Sequence, residues 1–179
     1  MSPMIEVASV HTDDLTPSDV AAIRGLLAAA FGGRFDEHDW EHAVGGRHAL
    51  VRVSGVVVAH GAVVPRGIWI GGVERLVGYV EAVATEPGEQ GRGLGTSVMR
   101  ALADEIRARY RIGMLSTGEW GFYERLGWQR WRGPTSVRLV NGDVVRTPEE
   151  DDGIMVLETT AGLDLDATIT CAERAGDDW

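Results

Sequence analysis

The chain contains no lysine, because all 17 of its basic residues are arginine. A Schiff base or a lysine nucleophile is therefore excluded from its chemistry. The same absence excludes the Walker phosphate loop, which ends in Gly-Lys-Ser/Thr.

Cysteine is nearly absent as well. Cys171 is the single cysteine, so no internal disulfide can form and nothing indicates an oxidising compartment. Its neighbours in DATITCAERA offer no base that could activate a thiolate, and we therefore expect a packed thiol. The sequence accordingly predicts a cytoplasmic protein.

Long apolar runs are also missing. The longest, GVVVAHGAVV at 55–64, has the length of a strand and is far too short for a bilayer span. No basic region precedes an apolar stretch near Glu6, so we expect neither a signal peptide nor a membrane partner. At 179 residues and 44% hydrophobic, the chain is predicted to form one domain over residues 1–179.

Basic residues are outnumbered, with 17 against 27 acidic residues and a net charge of -10. Nucleic-acid binding depends on neutralising phosphates, so no nucleic-acid partner is expected, whereas a cationic partner suits the chain. His38 and His42 lie four residues apart on a predicted helix, but no third ligand has a diagnostic spacing. We therefore predict no metal site.

The order of elements indicates an α+β fold with a mixed, mostly antiparallel sheet flanked by helices. The first helix has a clear start, since Thr16 can cap it, Pro17 suits its first turn and Asp19 completes a capping box. Predicted helices cover 16–31, 36–44, 96–110 and 119–126. Predicted strands cover 5–10, 48–54, 55–65, 68–86 with a turn at Gly71-Gly72, 112–117, 128–133 and 153–159.

A glycine-rich stretch, EQGRGLGTS at 89–97, lies between a predicted strand and a predicted helix. Backbone N–H groups at a helix start, uncrowded by side chains, form a natural anion site. The Rossmann fingerprint does not fit, because it needs a glycine where Thr96 stands. On the residues alone, a turn without a ligand and another kind of phosphate-binding loop both stay open.

The hexapeptide QGRGLG resembles the Q/R-x-x-G-x-G/A pyrophosphate loop of the GNAT superfamily of acetyl-CoA-dependent N-acetyltransferases. The order of elements and the segment YERLGW at 123–128 resemble that superfamily too. Nearly the whole chain is similar to the bacterial aminoglycoside 2'-N-acetyltransferases. The similar segments are GYVEAVA, FDEHDWEHAVGGRHAL, WRGPTSV, RTPEEDDG and AERAGDDW. The resemblance implies acetyl-CoA as donor, the 2'-amine of an aminoglycoside as acceptor, and antibiotic inactivation as the role.

The resemblance also implies roles for individual residues. Glu81 matches the base, acting directly or through water, the Val83 backbone N–H matches the oxyanion donor, and Tyr123 matches the acid at the leaving thiolate. Residues expected at acetyl-CoA are Val83, Ala84, Thr85, Gln90, Gly91, Arg92, Gly93, Leu94 and Gly95. Residues expected at the acceptor are Asp39, Glu81, Ser116, Glu150, Asp151, Asp177 and Trp179.

Two features depart from the family pattern. Arg34 stands where the family has an acidic residue, and the segment STGEWG at 116–121 is short. Other acceptors therefore stay open: a smaller amino sugar such as kasugamycin, another small amine, or a protein N-terminus. A non-enzymatic acetyl-CoA-binding module is a further alternative. Members of the family are often dimers, so the resemblance implies a homodimer, although no segment of the sequence identifies an interface.

Overall fold

The computed structural model describes residues 3–158 and 162–179. Its contacts divide the chain into two compact units. The first unit comprises Met1–Val64 and Val80–Glu105, and the second comprises Pro65–Tyr79 and Ile106–Trp179. Two long strands and one helix contribute residues to both.

Helices and strands alternate irregularly along the chain, as expected for an α+β fold. The helices of the described residues are α1 (Pro17–Ala30), α2 (Glu37–Ala43), α3 (Leu94–Arg109) and α4 (Trp120–Glu124). The strands are β1 (Ile5–His11), β2 (Arg47–Val53), β3 (Val56–Ile70), β4 (Val73–Thr85), β5 (Ile112–Ser116), β6 (Gln129–Arg130), β7 (Thr135–Arg138), β8 (Val144–Arg146), β9 (Ile154–Glu158) and β10 (Ile169–Ala172).

In the first unit, β1, β2 and the start of β3 form an antiparallel ladder. Helix α1 begins as the sequence predicts: the Thr16 side chain accepts the Asp19 N–H, and the Asp19 carboxylate accepts the Thr16 N–H. Ile23 and Leu27 of this helix are fully buried beside Leu50 of β2. Burial of such side chains stabilises the unit by about 1.5–3 kcal/mol each.

Helix α3 lies close to β3 in the same unit. A Cβ atom at Gly61 would stand 2.8 Å from Cγ1 of Val98 and 2.9 Å from Cδ1 of Leu102. Glycine at this position therefore allows the helix that follows the glycine-rich loop to approach the strand. That close packing holds the start of α3 in place relative to the sheet.

In the second unit, the strand order is β6-β9-β5-β4-β3-β10-β7-β8. The pairs β4–β5 and β10–β7 are parallel, whereas β5–β9, β6–β9, β7–β8 and β10–β3 are antiparallel. The expectation of a mixed, mostly antiparallel sheet is confirmed. Cys171 of β10 is fully buried, and burial raises the pKa of its thiol to about 11, which confirms the packed thiol.

Several strand predictions were wrong. Pro65 does not end a strand: β3 runs on to Ile70, because proline removes one N–H donor but its φ suits extended backbone. The strand predicted at 128–133 is reduced to Gln129–Arg130. Three strands were missed, namely β7, β8 and β10, whose three or four residues are too few to show an alternating pattern. The last residue of the strand predicted at 153–159, Thr159, lies outside the described residues.

None of the helices within the described ranges is both long enough and apolar enough to cross a membrane.

Candidate active site

Strand β4 carries a backbone irregularity between two predicted catalytic residues. Ala82 adopts a φ of +53°, a value that non-glycine residues rarely take and that costs about 1–3 kcal/mol. Glu81 and Val83, on either side, are half-buried. Such outliers persist only where surrounding contacts hold them, and they cluster at functional sites.

A buried imidazole holds this irregularity. His60 of β3 is fully buried, and its Nδ1 lies 2.8 Å from the carbonyl oxygen of Ala82. Its Nε2 lies 2.9 Å from Nδ1 of His48, which is also fully buried. Desolvation lowers the pKa of His48 to about 4 and that of His60 to about 3, so both rings are neutral at physiological pH.

The glycine-rich loop follows β4 and leads into α3. Gly91 and Gly93 adopt φ values of +76° and +79°, which side chains other than glycine rarely allow. A Cβ atom at either position would meet no protein atom within 4 Å, so backbone conformation and not crowding requires glycine there. Arg92, between them, pairs with the carboxylate of Glu89.

The start of α3 presents backbone donors. The Ser97 N–H donates to the Gly93 carbonyl at 3.1 Å, in the i to i−4 pattern that opens a helix. The N–H groups of Leu94, Gly95 and Thr96 precede that bond, and a helix offers its first N–H groups no helical partner. The exposed loop therefore ends in a cluster of N–H groups suited to an anion.

Tyr123 of α4 is buried in the second unit, with 8% of its surface exposed. Its ring contacts Phe122 and Trp128 edge-on, at centroid distances of 4.9 Å and 6.3 Å. Burial raises the pKa of Tyr123 to about 12, against the opposing effect of its hydrogen bond with Thr117. The hydroxyl is therefore protonated at neutral pH and able to donate.

Acidic residues converge in the second unit near Trp179. Burial, the negative charge of Asp177, and the charges of Glu149 and Asp178 together raise the pKa of Glu150. The Trp179 N–H donates to Oδ1 of Asp177 at 3.3 Å, so the structure brings three of the predicted acceptor residues together. A bound cation would relieve the repulsion that raises the Glu150 pKa.

Asp151 is the exception among these acids. Its carboxylate accepts hydrogen bonds from the Thr135 N–H at 2.8 Å, from the Thr135 hydroxyl at 2.9 Å, and from the Arg146 guanidinium at 2.7 Å and 3.0 Å. The Arg146 guanidinium holds the pKa of this carboxyl far below its usual range. Asp151 serves the second unit structurally, and its role at an acceptor stays a prediction.

The remaining predicted acceptor residues are placed as follows. Asp39 lies in the first turn of α2, where its Oδ2 accepts the Asp36 N–H at 2.9 Å as half of a capping box. Ser116 is exposed at the end of β5. Arg34 is exposed too, and its Nε donates to the Phe31 carbonyl at 3.2 Å, at the C-terminal end of α1 where a cation is favourable.

Within residues 3–158 and 162–179, no three His, Cys, Asp or Glu side chains come together as metal ligands would.

Sequence reasoning missed the groups that hold the site residues. His48 and His60 stand in apolar strands without a recognisable spacing, and Thr117 and Arg146 carry no motif. The only available signal was polarity within an apolar run, as in VVVAHGAVV, since a buried polar group needs a partner. That signal predicts a hydrogen bond but not its acceptor.

Comparison with known proteins agrees with this geometry. The profile of the acetyltransferase (GNAT) domain family matches residues 11–131. An aminoglycoside 2'-N-acetyltransferase of Mycolicibacterium fortuitum is 44% identical over 176 residues, which make up 95% of this chain and 90% of that protein.

Solved structures share the fold at lower identity. The GNAT family N-acetyltransferase (YhbS) of Escherichia coli, in complex with CoA, is 18% identical with a TM-score of 0.67, covering 98% of this chain and 94% of that one. A GNAT family acetyltransferase of Brucella melitensis, in complex with acetyl-CoA, is 21% identical with a TM-score of 0.65, covering 96% and 97%. Some proteins of this fold are longer: the chain spans 34% of a GCN5-related N-acetyltransferase from Kribbella flavida.

Proposed function

Because the chain belongs to the GNAT acetyltransferases, and within them to the family of the aminoglycoside 2'-N-acetyltransferases, we propose that it transfers the acetyl group of acetyl-CoA to the 2'-amine of an aminoglycoside. The observation that carries this proposal is the 44% identity to the enzyme of Mycolicibacterium fortuitum, which extends over 95% of the chain. Inactivation of the antibiotic follows from acylation of that amine.

The donor binds at the glycine-rich loop and the strand before it. The N–H groups from Gln90 to Gly95 contact the pyrophosphate of acetyl-CoA, and the helix dipole of α3 adds a favourable field. The backbone from Val83 to Thr85 pairs with the pantetheine arm. The positive φ values of Gly91 and Gly93 support this assignment, because backbone turns of this kind form concavities of N–H groups that bind anions.

Glu81 acts on the acceptor amine, which arrives as an ammonium ion. The carboxylate removes one proton, directly or through water, and the free amine attacks the thioester carbon. The oxyanion of the tetrahedral intermediate accepts a hydrogen bond from the Val83 N–H. Collapse breaks the carbon–sulfur bond and releases a second proton from nitrogen, so that the products are the amide, CoA thiol and one proton.

Tyr123 acts on the departing sulfur. Its pKa of about 12 lies above that of a thiol, about 8.5, so full proton transfer from Tyr123 to the thiolate is uphill. The hydroxyl therefore stabilises the developing thiolate as a hydrogen-bond donor, and the proton released from nitrogen completes the thiol. This proposal replaces the proton donation that the resemblance implies for Tyr123 by hydrogen-bond donation.

Glu150 and Asp177 contact the cationic sugar. Their mutual repulsion raises the Glu150 pKa, and an ammonium group placed between them would lower it again. Asp39 and Ser116 remain further candidates for acceptor contacts. Trp179 is buried and its Nε1–H donates to the Thr147 hydroxyl at 3.2 Å, so it supports Asp177 instead of contacting the sugar with its ring.

A thiol-release assay with acetyl-CoA tests the proposal. We would compare gentamicin, tobramycin, kasugamycin, spermidine and a peptide N-terminus as acceptors. Release of CoA with 2'-amino sugars, and none with analogues that carry a 2'-hydroxyl, is the expected result. If CoA is released only with kasugamycin or only with spermidine, that compound would replace the aminoglycoside as the proposed acceptor. If acetyl-CoA binds but no amine releases CoA, the proposed catalysis would be contradicted.

A further inference from the structure

A chain of hydrogen bonds crosses the interior of the first unit and ends at Ala82. The Thr12 hydroxyl lies 2.8 Å from Nε2 of His48, Nδ1 of His48 lies 2.9 Å from Nε2 of His60, and Nδ1 of His60 lies 2.8 Å from the Ala82 carbonyl oxygen. Both imidazoles are fully buried. The catalytic roles proposed above use none of these three side chains.

The direction of every bond in this chain follows from its last acceptor. A carbonyl oxygen can only accept, so Nδ1 of His60 carries a hydrogen and its Nε2, in the neutral ring, accepts. Nδ1 of His48 must then donate to His60, so Nε2 of His48 carries no hydrogen. It accepts from the Thr12 hydroxyl at 2.8 Å, which is closer than the alternative acceptor of that hydroxyl, the Gly46 carbonyl at 3.2 Å. The Thr12 oxygen in turn accepts the Gly45 N–H at 3.0 Å.

Fixing the Ala82 carbonyl also fixes the Val83 N–H. The two groups belong to one planar peptide unit, and no cis peptide occurs among the described residues. In a trans peptide the C=O and N–H bonds point in opposite directions. Since His60 draws the carbonyl toward the buried imidazole, the N–H of Val83 points away from it.

We infer that Thr12, His48 and His60 are positioning residues, which hold the Ala82–Val83 peptide so that the Val83 N–H faces the thioester carbonyl. This inference rests on the proposed function, because the N–H has a catalytic role only in acyl transfer. Both imidazoles are fully buried, so they act on the reaction only through the peptide that they hold. The positive φ at Ala82 costs free energy, and without a compensating contact this residue would relax to ordinary strand conformation. The chain of three hydrogen bonds that ends at the Ala82 carbonyl offsets that cost.

The first test observes the imidazole tautomers and needs no activity. Long-range ¹H–¹⁵N correlation spectra of the wild-type protein at pH 7 distinguish hydrogen on Nδ1 from hydrogen on Nε2. The inference requires Nδ1–H on both His48 and His60. Hydrogen on Nε2 of His60 would overturn it, because that tautomer cannot donate to Ala82.

The second test separates position from folding by means of matched variants. His60→Leu removes the donor, whereas the side-chain nitrogen of His60→Asn can occupy the place of Nδ1 and donate. We expect His60→Leu to lower kcat by about 10- to 100-fold, as misplacement of an oxyanion donor does, with the KM for acetyl-CoA changed less than about threefold. His60→Asn should recover part of the loss. A folded His60→Leu protein with wild-type kcat would refute the inference.

Thr12, at the other end of the hydrogen-bond chain, offers a less disruptive pair of variants in case His60→Leu does not fold. Thr12→Val removes the hydroxyl at nearly constant volume, and Thr12→Ser keeps it. We expect about a three- to tenfold lower kcat for Thr12→Val only, since the loss acts through two rings. Equal kcat in both variants would count against a connected chain.

The Val83 amide distinguishes failure of this inference from failure of the proposed function. Addition of acetyl-CoA should shift the Val83 ¹H–¹⁵N resonance in the wild type, and this shift should be reduced in His60→Leu or Thr12→Val. If no amine in the acceptor panel is acetylated but this difference is present, the positioning stands and the acceptor assignment falls. If the shift is identical in the variants, the positioning role is wrong whatever the acceptor.

Discussion

The guanidinium of Arg146 contacts both carboxylate oxygens of Asp151, at 3.0 Å to Oδ1 and 2.7 Å to Oδ2. The same guanidinium donates to the Thr135 carbonyl, and Asp151 accepts two hydrogen bonds from Thr135. The pair therefore joins β7, β8 and the acidic turn that follows them. Within this acidic turn, Arg146 neutralises Asp151, whereas burial and neighbouring carboxylates raise the pKa of Glu150.

Asp151→Asn should lower the free energy of unfolding by about 1–2 kcal/mol, because it removes charge-assisted hydrogen bonds from a side chain that is 33% exposed. The folded pKa of Asp151 is depressed, so this stability is present above the ordinary value of 3.8 and is lost as pH falls through the lower folded pKa. Urea denaturation at pH 7 measures the loss. Glu149→Gln is the control, and equal losses in the two variants would contradict the assignment.

Gly93→Ala should weaken acetyl-CoA binding. An alanine is strained at a φ of +79°, by about 1–2 kcal/mol, and the loop relaxes away from the geometry that presents its N–H groups. We expect about a tenfold rise in the Kd for acetyl-CoA, measured by calorimetry. Gly88→Ala is a matched control in the same loop, since no positive φ requires glycine there and a Cβ meets nothing within 4 Å. Equal affinities of the two variants would remove the anion-binding role of the loop.

Glu81→Gln should lower kcat by about 10²- to 10⁴-fold, the usual contribution of a general base. The loss should shrink at alkaline pH, because the free-amine fraction of the acceptor rises and less proton removal is needed. Steady-state rates between pH 6 and 10 measure both effects. Glu86→Gln, just beyond the end of the same strand, should keep wild-type rates. A pH-independent loss in Glu81→Gln would point to binding instead of proton transfer.

Tyr123→Phe should reduce kcat by about 10- to 100-fold with little change in acetyl-CoA affinity, since the hydroxyl acts on the departing sulfur. Ultraviolet titration at the phenolate absorbance should show one group ionising near pH 12 that is missing from the variant. Tyr110→Phe should leave the rate unchanged. A tyrosine limb below pH 10 in the kcat profile would be incompatible with the burial of Tyr123.

His48 and His60 should make the fold sensitive to mild acid. Their folded pKa values of about 4 and about 3 lie below the ordinary 6.5, so the unfolded chain binds more protons between these limits. Stability is therefore complete above pH 6.5 and falls on acidification, by about 2 kcal/mol per histidine between pH 7 and 5. The charge of His11 adds to the effect on His48. Urea denaturation at these pH values measures the free energy of unfolding, which should depend less on pH in His60→Asn than in the wild type. His38→Asn is the control and should show the wild-type dependence. A wild-type stability that does not change between pH 7 and 5 would exclude neutral buried rings.

Much of the local structure could be predicted because its causes are local. The Thr16–Asp19 capping box lies within one helical turn. The glycine-rich loop is recognisable because glycine is the residue that tolerates positive φ. Resemblance to the family then supplied the donor and acceptor classes, which periodicity alone did not. The single domain, the homodimer and the cytoplasmic location stay predictions.

Other features could not be predicted because their causes are distant in sequence. Strands β7, β8 and β10 are three or four residues long, and their pairing partners decide their conformation. From the segment RTPEEDDG alone, Asp151 is expected to be a free acid, but in the structure its carboxylate accepts a hydrogen bond from the Thr135 N–H. From the sequence alone, Arg34 is expected to be a cation at the acceptor site, but in the structure its Nε donates to the Phe31 carbonyl at the end of α1.

By itself, then, the sequence determined the α+β class, the loop that turns at Gly91 and Gly93, and a chemistry without lysine or disulfide, since each depends on residue type or on neighbours within a few positions. Only the tertiary structure decided the conformation of Ala82. Its φ is held by an imidazole 22 residues away in the chain, which is itself held by His48, 12 residues further off. A buried carbonyl must have a donor, and which donor reaches it is settled only when β2, β3 and β4 are packed together.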